Sequence, residues 1–160
     1  MNPIRVAIIA SAYNRWITDP MTIGARDALA RLSHQHGREA DCEVFEAPGA
    51  FELPVLAANA IDTGRFDAVV CLGCIIKGET RHDEVIANAI AGTIQSLACQ
   101  TGVPIAFGVL TTNTAEEAEA RAGGAKGNKG AEAMEAALAT LFTIEHMNTN
   151  APSSQPARAS

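Results

Sequence analysis

A histidine, a threonine and two glycines stand close together in the middle of this 160-residue sequence, in an order that suits phosphate binding and proton transfer. They are Gly73, Gly78, Thr80 and His82, and an apolar stretch precedes them. Backbone N–H groups and a hydroxyl at the start of a helix bind phosphate. An imidazole titrates near neutral pH and can therefore accept and donate a proton. A lone histidine ahead of a helix is more often a solvated surface residue. The prediction that His82 transfers protons therefore depends on its neighbours. Among these, Glu84 is expected to orient the imidazole ring.

The same segment has the outline of a P-loop, G-x-x-x-x-G, without its chemistry. Glu79 stands where the P-loop lysine belongs, and the interior residues Cys74–Ile76 are apolar, so a nucleoside-triphosphate site is not favoured. A flavodoxin-like electron carrier would need a phosphate loop directly after the first strand. Ala10–Trp16 contains no run of Gly, Ser and Thr, so this class is not favoured either.

Three further segments suit ligand binding, and each has a plain structural alternative. Pro48–Glu52 is either a tight turn with Phe51 in the core, or a helix start whose amides and carboxylate bind hydroxyl groups. Tyr13 is either a surface cap or a ring that stacks on a planar ligand. Arg121–Gly130 carries three cations among small residues. Such a run is usually a solvated loop, but its glycines let the backbone approach a ligand, and Arg121 suits a phosphate.

The other histidines and the cysteines are predicted to be structural. His34, His36 and His146 lie near the ends of polar helical stretches. Cys71 and Cys74 form a C-x-x-C inside an apolar run that is typical of a buried strand. An odd separation in a strand places two side chains on opposite faces, so these thiols would not share a metal ion. We therefore predict no metal site.

Apolar strands alternating with helices place these segments in a common fold. The predicted strands are Ile4–Ala10, Cys42–Ala47, Asp67–Gly73 and Val103–Leu110, and the predicted helices are Asp19–His36, Phe51–Thr63, Asp83–Thr101, Thr114–Ala122 and Ala131–Glu145. Asp19-Pro20 is interpreted as the N-cap and first residue of the first helix. The pattern indicates an α/β protein, a three-layer α/β/α sandwich with a four-stranded, mostly parallel sheet. Ligands bind beyond the carboxyl ends of such strands, and the segments described above follow those ends.

Length, composition and charge limit the class of protein. We expect one domain over residues 1–147, followed by a Ser-, Pro- and Asn-rich tail, 148–160, that is disordered. The formal net charge is −6, which argues against a nucleic acid or an anionic membrane as partner. No membrane span and no signal peptide is recognised, so we expect a cytoplasmic protein.

Five segments, in order and nearly without gaps from about Ile4 to Glu145, resemble the lumazine synthase family. They are Tyr13-Asn14 with Ile17-Thr18, Pro48–Glu52, Leu72–His82, Phe107–Thr112, and Arg121–Gly123 with Gly127–Gly130. The resemblance implies a flavodoxin-like fold and a transferase that condenses 5-amino-6-(D-ribitylamino)uracil with 3,4-dihydroxy-2-butanone 4-phosphate. The product is 6,7-dimethyl-8-ribityllumazine, one step before riboflavin, and no cofactor or metal is implied. A non-catalytic flavin- or lumazine-binding relative of the same fold is the alternative.

The resemblance also implies a role for each matched residue. His82 would be the proton shuttle, and Tyr13 would stack on the pyrimidine. The residues implied to hold the uracil and ribityl groups are Ala50, Phe51, Glu52, Cys74, Ile75 and Ile76, with backbone contacts from Phe107. The residues implied to bind the phosphate are Glu79, Thr80 and Arg121, with Lys129 nearby.

The resemblance also implies a quaternary structure, and the sequence departs from the family pattern at two positions. Phe107 and Arg121 would come from a neighbouring subunit of a homopentamer, and association with riboflavin synthase stays open. The lack of an insertion in Gly123–Gly130 favours a 60-subunit icosahedral shell, whereas the short segment before the first strand favours an isolated pentamer. Lys126 stands one position after the usual lysine, and Asp83 replaces a common aromatic.

Overall fold

Four apolar segments form one parallel sheet. The computed structural model describes residues 2–149. Its strands are β1 (Ile4–Ser11), β2 (Ala40–Ala47), β3 (Ala68–Ile76) and β4 (Ile105–Thr112). They pair in parallel in the order β2-β1-β3-β4. This is the strand order of a flavodoxin-like sheet, with the crossovers made by helices.

Helices cover the sheet on both faces. They are α1 (Arg15–His36), α2 (Leu53–Asp62), α3 (His82–Thr101), α4 (Ala115–Arg121) and α5 (Lys129–Thr149). Helices α1, α4 and α5 pack on the face that contains Val6 and Ile8, whereas α2 and α3 pack on the face that contains Ala7 and Ile9. The alternation along β1 confirms the predicted three-layer α/β/α sandwich.

Three of the four predicted strands ended too early at the edge that ligands would approach, and only the predicted end of β2 was right. β3 continues past Gly73 to Ile76, and its ladder with β4 runs through Ile76 and Thr112. Gly73 does not end the strand. Its lack of a side chain leaves space beside β3 for the neighbouring segment. A Cβ at this position would lie 3.3 Å from Leu53 Cδ1 and 3.4 Å from Ala50 Cβ, so the glycine lets the start of the next helix approach the strand closely.

The predicted start of the first helix was wrong. Helix α1 begins at Arg15, after Asn14 in a left-handed conformation (φ 60°), and Pro20 lies inside the helix. The proline therefore removes a hydrogen bond beyond the first turn instead of opening the helix. The expected second helix also divides, into a 3₁₀ turn over Ala50–Glu52 and α2.

The glycine-rich break before the last helix is an ordered hairpin. Its strands are β5 (Ala122–Gly124) and β6 (Gly127–Asn128), which pair antiparallel. Gly123 (φ 103°) and Gly127 (φ 85°) supply the backbone angles that the tight turn requires. Helix α5 then begins at Lys129, two residues earlier than predicted, and continues to Thr149. The rest of the predicted tail lies outside the described residues, and the domain division stays a prediction.

The two cysteines of the C-x-x-C lie on opposite faces of β3, as predicted. Cys71 belongs to the core beneath α2 and α3, and Cys74 to the core beneath α1 and α5. Burial raises the pKa of Cys71 to about 12 and that of Cys74 to about 11. Both thiols are free. Within residues 2–149, no cluster of three or more His, Cys, Asp or Glu side chains is arranged to hold a metal ion.

None of the helices over residues 2–149 combines the length and the apolar character that a membrane span needs.

Candidate active site

A cleft of about 430 Å³ lies at the carboxyl edge of the sheet. It is formed by the segments that follow β1, β2 and β3, together with the first turns of α3. Its lining residues are Tyr13, Asn14, Gly49, Ala50, Phe51, Glu52, Cys74, Ile75, Ile76, Gly78, Thr80, His82, Asp83 and Ile86. The fold therefore brings together most of the predicted site residues, because the ends of parallel strands converge on one edge.

The segment after β1 is held by a short chain of hydrogen bonds. The buried Thr18 hydroxyl donates to the Ser11 carbonyl (2.7 Å), and the Ser11 hydroxyl donates to the Tyr13 carbonyl (3.2 Å). Asn14 Nδ2 donates to the Cys74 carbonyl at the end of β3 (3.0 Å). These bonds fix the backbone of Tyr13, which lines the cleft and is 71% exposed.

The segment after β2 presents an aromatic ring and a carboxylate. The Ala12 N–H donates to the Ala47 carbonyl (2.7 Å), which joins this segment to the one after β1. Phe51 is 62% exposed, so the alternative that placed it in the core was wrong. A Cβ at Gly49 would lie 3.0 Å from Glu52 Oε2, which places that carboxylate over the glycine. An exposed ring beside a carboxylate suits a ligand with a planar ring and hydroxyl groups.

The segment after β3 carries the hydroxyl and the imidazole. The Thr80 hydroxyl accepts a long hydrogen bond from the His82 backbone N–H (3.4 Å), at the first residue of α3. His82 and Thr80 therefore meet beside a helix N-terminus, which is the arrangement that the sequence predicts for phosphate and proton transfer.

Glu84 does not orient the histidine, so that prediction was wrong. Its carboxylate accepts two hydrogen bonds from Arg81, from Nε at 3.1 Å and from Nη2 at 3.0 Å. The Glu84 carboxylate pairs with Arg81 because that guanidinium, three residues away, is charged and donates two hydrogen bonds. The His82 imidazole would donate only one.

Four of the predicted residues do not line the cleft of a single chain. Glu79 lies on the exposed turn between β3 and α3 and is not a lining residue. Phe107 lies on the edge strand β4, beside a separate depression between α3 and α5. Arg121 Nη1 donates to the Glu117 carbonyl (2.9 Å), and Lys129 Nζ pairs with Glu132 (3.4 Å). The cleft lining, as described for one chain, contains no lysine or arginine.

The prediction from sequence missed several lining residues, and two had a detectable signal. Asn14 has the left-handed backbone that asparagine tolerates better than most residues. Ile86 follows His82 by one helical turn and so shares its face. Asp83 was noted only as a departure, yet its Oδ1 is buried without a hydrogen-bond partner among the described residues. A ligand donor would satisfy this acceptor.

A larger apolar groove, about 850 Å³, adjoins the cleft between α2 and α3. It shares Phe51 and Glu52 with the cleft, and Val55 on its wall is 57% exposed. The groove therefore forms a continuous surface with the cleft, with exposed apolar side chains on its wall.

Comparison with known proteins identifies the family. Residues 3–145 match the family model described as 6,7-dimethyl-8-ribityllumazine synthase. The chain is 44% identical over 120 residues to the 6,7-dimethyl-8-ribityllumazine synthase of Deinococcus deserti. These aligned residues make up 75% of each of the two proteins. It is 43% identical, over 75% of this chain and 76% of the relative, to the protein of the same name from Deinococcus radiodurans.

We predict that Asn14→Ala destabilises the protein more than Asn14→Gly does. Both variants lose the bond to the Cys74 carbonyl, about 0.5–1.5 kcal/mol, but alanine also has to adopt the left-handed backbone, a further ~1 kcal/mol. Urea unfolding measures the difference. Asn88→Ala, on an exposed turn of α3, is the matched control and should change little. Equal losses for the alanine and glycine variants would show that the backbone angle does not select asparagine here.

Proposed function

The chain belongs to the 6,7-dimethyl-8-ribityllumazine synthase family, and from this premise we propose that its carboxyl-edge cleft is where the family's reaction takes place. In that reaction 5-amino-6-(D-ribitylamino)uracil condenses with 3,4-dihydroxy-2-butanone 4-phosphate, and phosphate and water are released. This is the penultimate step of riboflavin biosynthesis. The convergence of Tyr13, Glu52, Thr80 and His82 on one cleft is the observation that carries the assignment. Both Deinococcus relatives are named as synthases, so a non-catalytic binding protein has no support.

The uracil substrate fits the part of the cleft between the first two segments. The Tyr13 ring stacks on the pyrimidine, and the exposed Phe51 closes the other side. The apolar floor, Cys74–Ile76, provides backbone groups at the end of a strand. The Glu52 carboxylate accepts hydrogen bonds from ribityl hydroxyls.

The butanone phosphate fits the part of the cleft at the start of α3. The Thr80 hydroxyl and the amides around it, including that of Glu79, bind the phosphate where the helix dipole favours an anion. His82 stands beside this position and moves protons while the amine attacks the ketone and while the phosphate leaves. No cofactor or metal enters the proposal, because the amine and ketone react with each other once they are held in contact.

The missing cation supports a site shared between subunits. A phosphate beside Glu52 and Asp83 needs a positive partner, and the single-chain cleft provides none. We propose a cytoplasmic homopentamer in which a neighbour seated on the apolar groove brings Phe107, Arg121 and Lys129 to the cleft. Each protomer then binds the uracil ring with its own loops and borrows the phosphate ligands of the next one.

The purified protein, mixed with both substrates, should produce lumazine absorbance and inorganic phosphate at equal rates, well above the spontaneous background. A rate equal to the background would refute the enzymatic assignment.

We predict that His82→Ala lowers kcat roughly 10- to 100-fold, below the usual contribution of a general acid–base residue, because positioning supplies most of the catalysis. Measurable turnover should persist, since positioning of the reactants remains. Steady-state kinetics with both substrates measures the change. The control is His34→Ala, an exposed histidine at the end of α1 that lies away from the cleft. A complete loss of uracil-substrate binding would instead indicate a binding role for His82.

We predict that Arg121→Ala raises the KM for the butanone phosphate, by an amount equivalent to about 1.5–3 kcal/mol for a lost charged hydrogen bond. The KM for the uracil substrate should stay unchanged. Arg26→Ala, an exposed arginine of α1, is the control, and an unaltered KM for the phosphate substrate would contradict the assignment.

Mixed pentamers test whether the site is shared. Subunits carrying His82→Ala with one tag and Arg121→Ala with another are co-expressed and isolated by both tags in turn. With random assembly, about one site in four combines an intact His82 with an intact Arg121 from the neighbour, so part of the activity returns. If mixed pentamers are no more active than either parent, the two residues serve the same chain's cleft.

A further inference from the structure

One side chain, Asn128, connects the β5–β6 hairpin to two helices. Its Nδ2 donates to the Pro20 carbonyl of α1 (3.0 Å). Its Oδ1 accepts from the N–H groups of Gly130 and Ala131 in the first turn of α5, at 2.9 and 3.1 Å. The amide oxygen uses both of its lone pairs and the amide nitrogen one of its two hydrogens. Asn128 therefore caps α5 and binds α1 at the same time.

The surface of α1 is shaped to receive this side chain. A Cβ at Gly24 would lie 2.3 Å from Asn128 Cγ, so any larger residue would displace the amide. A Cβ at Gly130 would lie 1.9 Å from the Met21 carbonyl oxygen, so α5 also begins against the backbone of α1. The close approach of the hairpin and α5 to α1 therefore requires both glycines. This approach fixes the position of the hairpin between the two helices.

The same hairpin carries the cations that the cleft lacks. Arg121 is the last residue of α4, directly before β5, and Lys129 directly follows Asn128. In the turn of the hairpin, the Lys126 N–H donates to the Ala120 carbonyl of α4 (2.7 Å) and so closes the loop against the helix that ends at Arg121. The bonds of Asn128 then fix the closed loop, with a cation at each end, on α1.

We propose that Asn128 is a positioning residue for substrate phosphate. It holds Arg121 and Lys129 at the distance from the core at which they reach the cleft of the neighbouring subunit. This inference rests on the proposed function, in which those two residues bind the phosphate of the butanone substrate. Asn128 acts through them and does not touch the substrate itself.

Two variants break the bond to α1 from opposite sides. Asn128→Ser keeps a good N-cap for α5, but its hydroxyl does not reach the Pro20 carbonyl. Gly24→Ala keeps the Asn128 residue but displaces its amide with a methyl group, in a helix that alanine otherwise favours. Both should raise the KM for the butanone phosphate, and the inhibition constant of inorganic phosphate, about three- to tenfold, the loss expected for one neutral hydrogen bond. The KM for the uracil substrate should stay within twofold, on the order of what a distant substitution causes.

Two parallel variants make the outcomes separable. Asn148→Ser, exposed at the far end of α5, should behave as wild type. If Arg121→Ala leaves the KM for the phosphate substrate unchanged, the proposed phosphate site fails, and this inference fails with it. If Arg121→Ala raises that KM while Asn128→Ser and Gly24→Ala do not, only the positioning role is overturned. An equal change in both KM values would also overturn it, since a purely structural role predicts that result.

Discussion

The burial of β3 on both faces is the constraint on which the rest of the molecule depends. A strand covered by helices on each side satisfies its backbone only through its neighbours, and the ladders to β1 and β4 provide that pairing. Once the ladder runs to Ile76, the floor of the cleft is set. Gly73 admits the turn that bears Phe51, and the Cys74 carbonyl holds Asn14. The site is thus assembled around the end of one strand.

Charge supports the proposal that the site is shared between subunits. The cleft offers two hydroxyls, an amide, an imidazole and two carboxylates, and its lining, for the residues described, includes no guanidinium or ammonium. Polar donors alone compete poorly with water for a doubly charged phosphate, whereas an arginine fork matches it in geometry and charge. The cations of the chain's own hairpin are held on α1 by Asn128, away from the cleft of the same chain. In the proposed pentamer, phosphate binding therefore depends on subunit assembly.

The fold was predictable because continuous apolar strands leave few alternatives, and the cleft was predictable because parallel strands end together. The first helix start was not, since the local preference of Asp19-Pro20 was outweighed by tertiary bonds through Asn14 and Thr18. The exclusion of Phe107 and Arg121 from the single-chain cleft followed only from the family resemblance, and that of Lys129 was not predicted, because residue spacing says nothing about a second chain. The Asn128 contact spans 108 positions, so no local pattern reveals it.

The buried thiol in the cleft floor has a consequence for chemical selectivity. Cys74 lines the cleft, and burial raises its pKa to about 11. At neutral pH such a thiol stays protonated, and a thiol is a weak nucleophile without ionisation. In the proposed reaction, this thiol therefore does not compete with the amine of the uracil substrate for the ketone. Packing of the sulfur against the helices keeps the thiol in its neutral, weakly nucleophilic form.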